Sequence, residues 1–175
     1  LALTKIVENG YQGALMAPTE VLAAQHFKTF QQVFKGMPIK TAYLSGHTKA
    51  AERKEILEQL KDGSIHILIG THALIEENVV FSALGLVITD EQHRFGVKQR
   101  QALESKGKSP HVLIMTATPI PRTMALSVYG DLDVSFIKGM PPGRHPVKTY
   151  VVGSHMLQRI FRFMKKEMES GHQAY

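Results

Sequence analysis

Residues 84–93 read Leu84-Gly85-Leu86-Val87-Ile88-Thr89-Asp90-Glu91-Gln92-His93, an apolar run closed by two carboxylates, an amide and an imidazole. A short apolar run of this kind is a buried strand, so Asp90 and Glu91 stand where the chain leaves the core. Two adjacent charges there are costly unless a cation or strong donors compensate them. The chemistry that suits such a pair is nucleotide hydrolysis. Asp90, through water, and Glu91 are the candidate Mg2+ residues, and Glu91 would also orient or deprotonate the attacking water. A bare Asp-Glu is more often a solvated strand end. The strand before it and Gln92-His93 after it favour the chemical reading.

The elements that must position these groups come from hydrophobic periodicity. Apolar runs short enough for buried strands fall at 14–17, 40–44, 65–69, 84–89, 112–116, 134–137 and 147–152. Helix-period segments lie between most of them. In 20–34, Ala23, Phe27, Phe30 and Phe34 share one face; in 48–61, Ile56, Leu57 and Leu60 do; 97–106 and 122–129 follow the same pattern. Strands alternating with helices predict an α/β fold, a parallel sheet with helices on both faces. Ligands of such sheets sit beyond the carboxyl ends of the strands. Three of those ends are strand-to-helix turns rich in small and hydroxyl residues: Pro18-Thr19, with Gln25 in the helix that follows; Ser45-Gly46-His47-Thr48; and Gly70-Thr71-His72. Hydroxyls and free N–H groups at such turns suit a phosphate and cannot read bases.

Composition narrows the class. Of 175 residues 43% are hydrophobic, enough for a core, and none is cysteine, which excludes disulfides and thiolate metal sites. No apolar run reaches the ~18–20 residues of a membrane span. Leu1-Ala2-Leu3-Thr4-Lys5 breaks too soon for a signal peptide. These features together predict a cytoplasmic protein with no membrane partner. The net charge of +6 is concentrated at the C-terminal end, where residues 138–175 hold seven Lys and Arg against two acidic side chains. A basic segment beside a near-neutral domain suits a nucleic-acid backbone, although it is also what a solvated helix face looks like. Three prolines and two glycines within 139–146 mark an interdomain linker.

With these residues in view, the chain resembles the RecG family of superfamily 2 DNA helicases. Asp90-Glu91-Gln92-His93 resembles their Walker B box, as a DEQH sequence, and Arg94-Phe95-Gly96-Val97-Lys98-Gln99-Arg100 extends the likeness. The turns at Pro18-Thr19, Ser45-Gly46 and Gly70-Thr71 resemble motifs Ia, Ib and Ic. Thr116-Ala117-Thr118-Pro119 resembles motif III, and Pro141-Pro142-Gly143-Arg144 the segment between motor lobes. The resemblance implies a RecA-like motor lobe over 1–138, a linker over 139–146, and the first strand and helix of a second lobe over 147–175. It implies ATP and Mg2+ as substrate and cofactor of the full-length parent, with neither expected on this fragment. Asp90, Glu91, Gln92 and His93 would be the catalytic group. Thr116, Ala117 and Thr118 would couple hydrolysis to DNA, and Pro18, Thr19, Gln25, Ser45, Gly46, Thr48, Thr71 and His72 would contact DNA. Branched double-stranded DNA, such as stalled forks and Holliday junctions, would be the partner in repair and recombination. The other partners would be the rest of the polypeptide: a P-loop segment, a wedge domain and the second motor lobe.

Two alternatives stand beside this: a transcription–repair coupling translocase, set apart by Gln92-His93, and a non-catalytic helicase-like binding module. No G-x-x-x-x-G-K-[ST] phosphate loop occurs in the chain; residues 102–109 lack the first glycine and follow a helix. The 175-residue chain by itself is therefore expected to be inactive. Finally, Leu157, Ile160, Phe161, Met164 and Met168 form an apolar stripe that should pack on the first lobe or on a second copy, leaving Arg159, Arg162, Lys165 and Lys166 solvated.

Overall fold

The computed structural model describes residues 1–117, 133–137, 139, 143, 144 and 146–174. The chain divides into two compact units, Leu1–Met124 and Ala125–Tyr175.

In the first unit α1 (Ala2–Glu8), β1 (Gln12–Met16), α2 (Glu20–Val33), β2 (Thr41–Leu44), α3 (Ala50–Lys61), β3 (Ile67–Gly70), β4 (Leu84–Asp90), α4 (Val97–Glu104) and β5 (His111–Met115) follow one another. The five strands form one parallel sheet in the order β2-β3-β1-β4-β5. The predicted α/β architecture is thus observed. β1 and β3 are buried at every position because each is flanked by two strands and covered on both faces. β2 and β5 are the edge strands of this sheet, and Leu113 on β5 is 40% exposed.

Two apolar clusters hold the sheet, one on each face. On one face Ala23 and Phe34 of the α2 region meet Leu15, Ile67, Ile69, Leu86 and Ile88, with Phe27 and Phe30 packed alongside. This is the helix face that the sequence spacing predicts. On the other, Ile56 and Leu60 of α3 and Leu103 of α4 meet Ala14, Met16, Leu68 and Val87. Alternation along each strand sends neighbouring side chains to opposite layers.

One buried polar side chain ties three segments together. Gln12, 3% exposed, donates from Nε2 to the carbonyls of Leu60 (2.9 Å) and Ile65 (2.7 Å) and accepts from the Ala83 N–H at Oε1 (2.9 Å). Gln12→Ala strands the Ile65 carbonyl and the Ala83 N–H in the interior, while the Leu60 carbonyl keeps the Gly63 N–H at 3.3 Å, and each buried orphan costs about 1–3 kcal/mol. We expect a loss of ~3 kcal/mol in urea unfolding; a loss under ~1 kcal/mol would mean that water replaces the amide.

Three sequence expectations differ from the structure. Residues 134–137 and 147–152 are exposed and form no strand among the described residues; apolar composition makes a strand only where a neighbour completes the ladder. Gly70-Thr71 opens a single 3₁₀ turn, His72–Ile75, and not an α-helix. In the second unit α5 (Leu157–Glu169) is helical as expected, but its stripe is not covered: Leu157 is 49%, Phe161 60% and Met168 50% exposed, with Ile160 and Met164 intermediate. An amphipathic helix buries its stripe only against a second apolar surface. The basic side chains Arg159, Arg162, Lys165 and Lys166 are exposed as expected. The helix expected over 122–129, Thr118 and half of the Pro/Gly segment 139–146 lie outside the described residues.

Candidate functional site at the carboxyl edge of the sheet

Strand register aligns the site. Leu44 pairs with Gly70, Gly70 with Met16, Met16 with Thr89, and Thr89 with Ile114, so five strands end in one row. The residues that follow, Ser45, Thr71, Ala17, Asp90 and Met115, therefore emerge along a single edge. Every sequence-selected loop in the described residues leaves from that edge.

β4 is the longest strand, and its last residue is Asp90. Glu91 turns the chain with φ 49° and ψ 53°, the left-handed region that a non-glycine residue seldom adopts. Such strain persists where the surroundings enforce it and is common at functional sites. The turn sends Gln92 inward, 3% exposed, at the head of the 3₁₀ turn Gln92–Arg94, while His93 stays exposed. Glu91 keeps its carboxylate at the surface of the cleft. Its Oε2 lies 3.3 Å from His93 Nδ1 and accepts a 3.4 Å bond from Thr116 Oγ1. The second contact follows from the register of Asp90 with Met115, which sets the loop after β5 beside the carboxylates. Ala117 is exposed in the same loop.

Asp90 has a partner that the sequence did not point to. His26, on α2, places Nε2 2.7 Å from Asp90 Oδ2, both side chains part-buried at 28% and 18% exposure. The two residues are 64 positions apart, and a lone histidine on an amphipathic helix gives no signal of this.

Of the three hydroxyl turns, the first is built as a helix cap. Thr19 Oγ1 accepts from the Leu22 N–H at 3.3 Å and so caps α2, with Pro18 before it and Gln25 exposed further along. Ser45 is buried; its N–H donates to Thr48 Oγ1 (3.0 Å) and its Oγ accepts from the His47 N–H (3.2 Å), leaving Gly46 at the exposed tip. Thr71 is also buried, with Oγ1 unpartnered within the described structure, and His72 beside it is exposed. A 2.8 Å contact between His47 Nδ1 and Glu20 Oε1 links the Ser45 turn to the start of α2. That hydrogen bond holds the Glu20 carboxyl below its ordinary range and raises the His47 imidazole above its own. The pairing is therefore complete below the usual imidazole value and fades as pH rises through the raised one. Both groups face water, so the link adds little stability.

Pro18, Thr19, Leu22, Glu91, His93 and Arg94 line one cleft of about 540 Å³. The capped start of α2 and the Glu91 carboxylate thus share a cavity. Among the described residues no three His, Asp or Glu side chains converge as a metal cage.

The DEAD/DEAH box helicase family model matches residues 1–126, which takes in the whole sheet and this edge. The chain belongs to the DEAD/DEAH box helicase family. This helicase segment is 54% identical over its full 175 residues to the ATP-dependent DNA helicase RecG of Bacillus subtilis (strain 168), covering 26% of that protein. It is 50% identical over 99% of its length to RecG of Synechocystis sp., covering 21%. The segment thus spans about a quarter of the length of these curated relatives. A solved structure of RecG bound to a three-way DNA junction superposes on 98% of it with a TM-score of 0.81 and 45% identity, covering 23% of that chain. The helicase MrfA bound to DNA and AMPPNP shares the fold alone, at a TM-score of 0.56 and 20% identity. The resemblance to RecG helicases seen in the sequence is borne out. Among the described residues no helix is long and apolar enough to cross a membrane.

Proposed function

We propose that this segment is the first motor lobe, with the start of the second, of a RecG-type ATP-dependent helicase that remodels branched duplex DNA in repair and recombination. The observation that carries this is the single row of strand ends, which brings the paired carboxylates, the Thr116 loop and three hydroxyl turns to one edge. In this reading residues 1–138 form the lobe, 139–146 the linker, and 147–175 the entry to the second lobe.

Asp90 holds Mg2+ through water. The unpartnered, buried Gln92 Oε1 and the strained Glu91 beside it fit a site completed by nucleotide, water and cation. Bound Mg2+ supplies neutralisation of charge that builds on the phosphates. Glu91 orients the attacking water and takes its proton, and Gln92 and His93 report the state of the site. Thr116 already reaches Glu91, so the loop Thr116-Ala117-Thr118 carries that state toward DNA. Pro18, Thr19, Gln25, Ser45, Gly46, Thr48, Thr71 and His72 meet the DNA backbone. Ser45 and Thr71 are buried and their own N–H groups are engaged within the fold, so in this reading the exposed Gly46 and His72 lead the contact at those turns. DNA as substrate and a chain without cysteine fit a cytoplasmic setting.

The test is ATP turnover by the full-length protein on matched DNAs. A three-way junction should stimulate it well above a linear duplex of equal length, and nascent strands of a model fork should anneal in an ATP-dependent way. The 175-residue chain alone should show no DNA-stimulated turnover. Equal stimulation by linear duplex, with no fork product, would favour a translocase without branch specificity.

A further inference from the structure

The contact between His26 and Asp90 lies outside every role assigned above. His26 sits two turns into α2, and its ring is steadied by the neighbouring Phe30, whose centroid is 6.5 Å away. An ionised carboxylate only accepts hydrogen bonds, so at 2.7 Å the hydrogen between Nε2 and Oδ2 belongs to His26. The imidazolium and the neutral ring that carries its hydrogen on Nε2 both supply it. The bond engages one carboxylate oxygen and leaves the other, Oδ1, to face a cation. It also fixes the plane of the carboxylate, which would otherwise rotate about a soft torsion at the end of β4.

We infer that His26 is a positioning residue for the Mg2+ site: it orients Asp90 so that one oxygen is presented to the cation's water shell. This rests on the reading of Asp90 as the cation's carboxylate. The arrangement has the form of a group that holds a metal's ligand in place, the loss of which costs about 10–100-fold in affinity. Because α2 begins at Thr19, in the cleft that Glu91 also lines, the same helix joins the cation carboxylate to the turn assigned to DNA.

The measurement is metal affinity, read without turnover. Mn2+ is titrated into the full-length protein saturated with a non-hydrolysable ATP analogue, and free Mn2+ is followed by electron paramagnetic resonance. His26→Leu keeps the bulk and removes the donor, and it should weaken Mn2+ binding about tenfold. His26→Gln, whose amide nitrogen reaches the position of Nε2, should recover most of that loss. Should the Leu variant fail to fold, His26→Ala takes its place, since this part-exposed position admits water. Unchanged Mn2+ affinity in the donorless variant, or equal loss in His26→Gln, overturns the inference. Asp90→Asn separates the two layers. If it too binds Mn2+ normally, the assignment of Asp90 fails; if it alone is weakened, only the positioning role of His26 fails.

Discussion

Replacing Glu91 by Gln in the full-length protein is expected to lower ATP turnover by about 10²–10⁴-fold, the range a positioned general base contributes. The amide has the size of the carboxylate, so the left-handed turn at φ 49° and the cleft it lines should persist. An oxygen remains to accept from Thr116 Oγ1, while the capacity to take a proton from water is gone. Nucleotide and junction affinities should stay close to the wild-type values, because the substitution removes a group that acts in the transition state and leaves ground-state contacts in place. Steady-state turnover and, separately, equilibrium binding of a non-hydrolysable analogue measure the two halves. Turnover at the wild-type rate would take Glu91 out of the reaction. A parallel loss of binding would make it a structural or ground-state contact.

The second large effect concerns folding. Gly70 ends β3 between β2 and β1, and a Cβ placed on it would lie 2.0 Å from the Leu44 carbonyl oxygen and 2.3 Å from Leu74 Cδ1. Side chains can swing away; the Leu44 carbonyl cannot, because it accepts from the Thr71 N–H at 3.3 Å and belongs to the row that aligns the site. Overpacking a core typically costs 1–3 kcal/mol, and backbone against Cβ belongs at the upper end. Gly70→Ala should therefore destabilise by about 3 kcal/mol, roughly a 10 °C fall in melting temperature for a domain of this size. Gly13→Ala is the control. Its Cβ would meet Leu3 Cδ2 at 2.2 Å, the far end of a side chain that can rotate. If thermal unfolding shows both variants equally mild, the strand ends are softer than their register suggests.

Both predictions draw on the sheet's carboxyl edge, and that edge was partly legible beforehand. Apolar runs located β1 to β5 because a strand buried on both faces has to be apolar along its whole length. Asp90-Glu91 stood out because charge is rare where such a run ends. The hydroxyl turns followed from the rule that parallel strands deliver their ligands' contacts at one end. The same reasoning over-reached at 134–137 and 147–152, which are as apolar as real strands yet pair with nothing among the described residues. Local pattern reports what a segment could bury, and only a neighbour makes it a strand.

By itself, then, the sequence determined the α/β class, the parallel sense of the sheet, the identity of the carboxylate pair and the helicase kinship. Each of these is written in contiguous residues, where spacing and side-chain type act over a turn or a strand. Tertiary structure alone decided the strand order β2-β3-β1-β4-β5, the three-way grip of Gln12, the left-handed turn at Glu91 and the bond from His26 to Asp90. These depend on which distant segments meet. That is settled by the packing of two apolar layers against one sheet, and no local pattern in the chain encodes a contact between residues 64 positions apart.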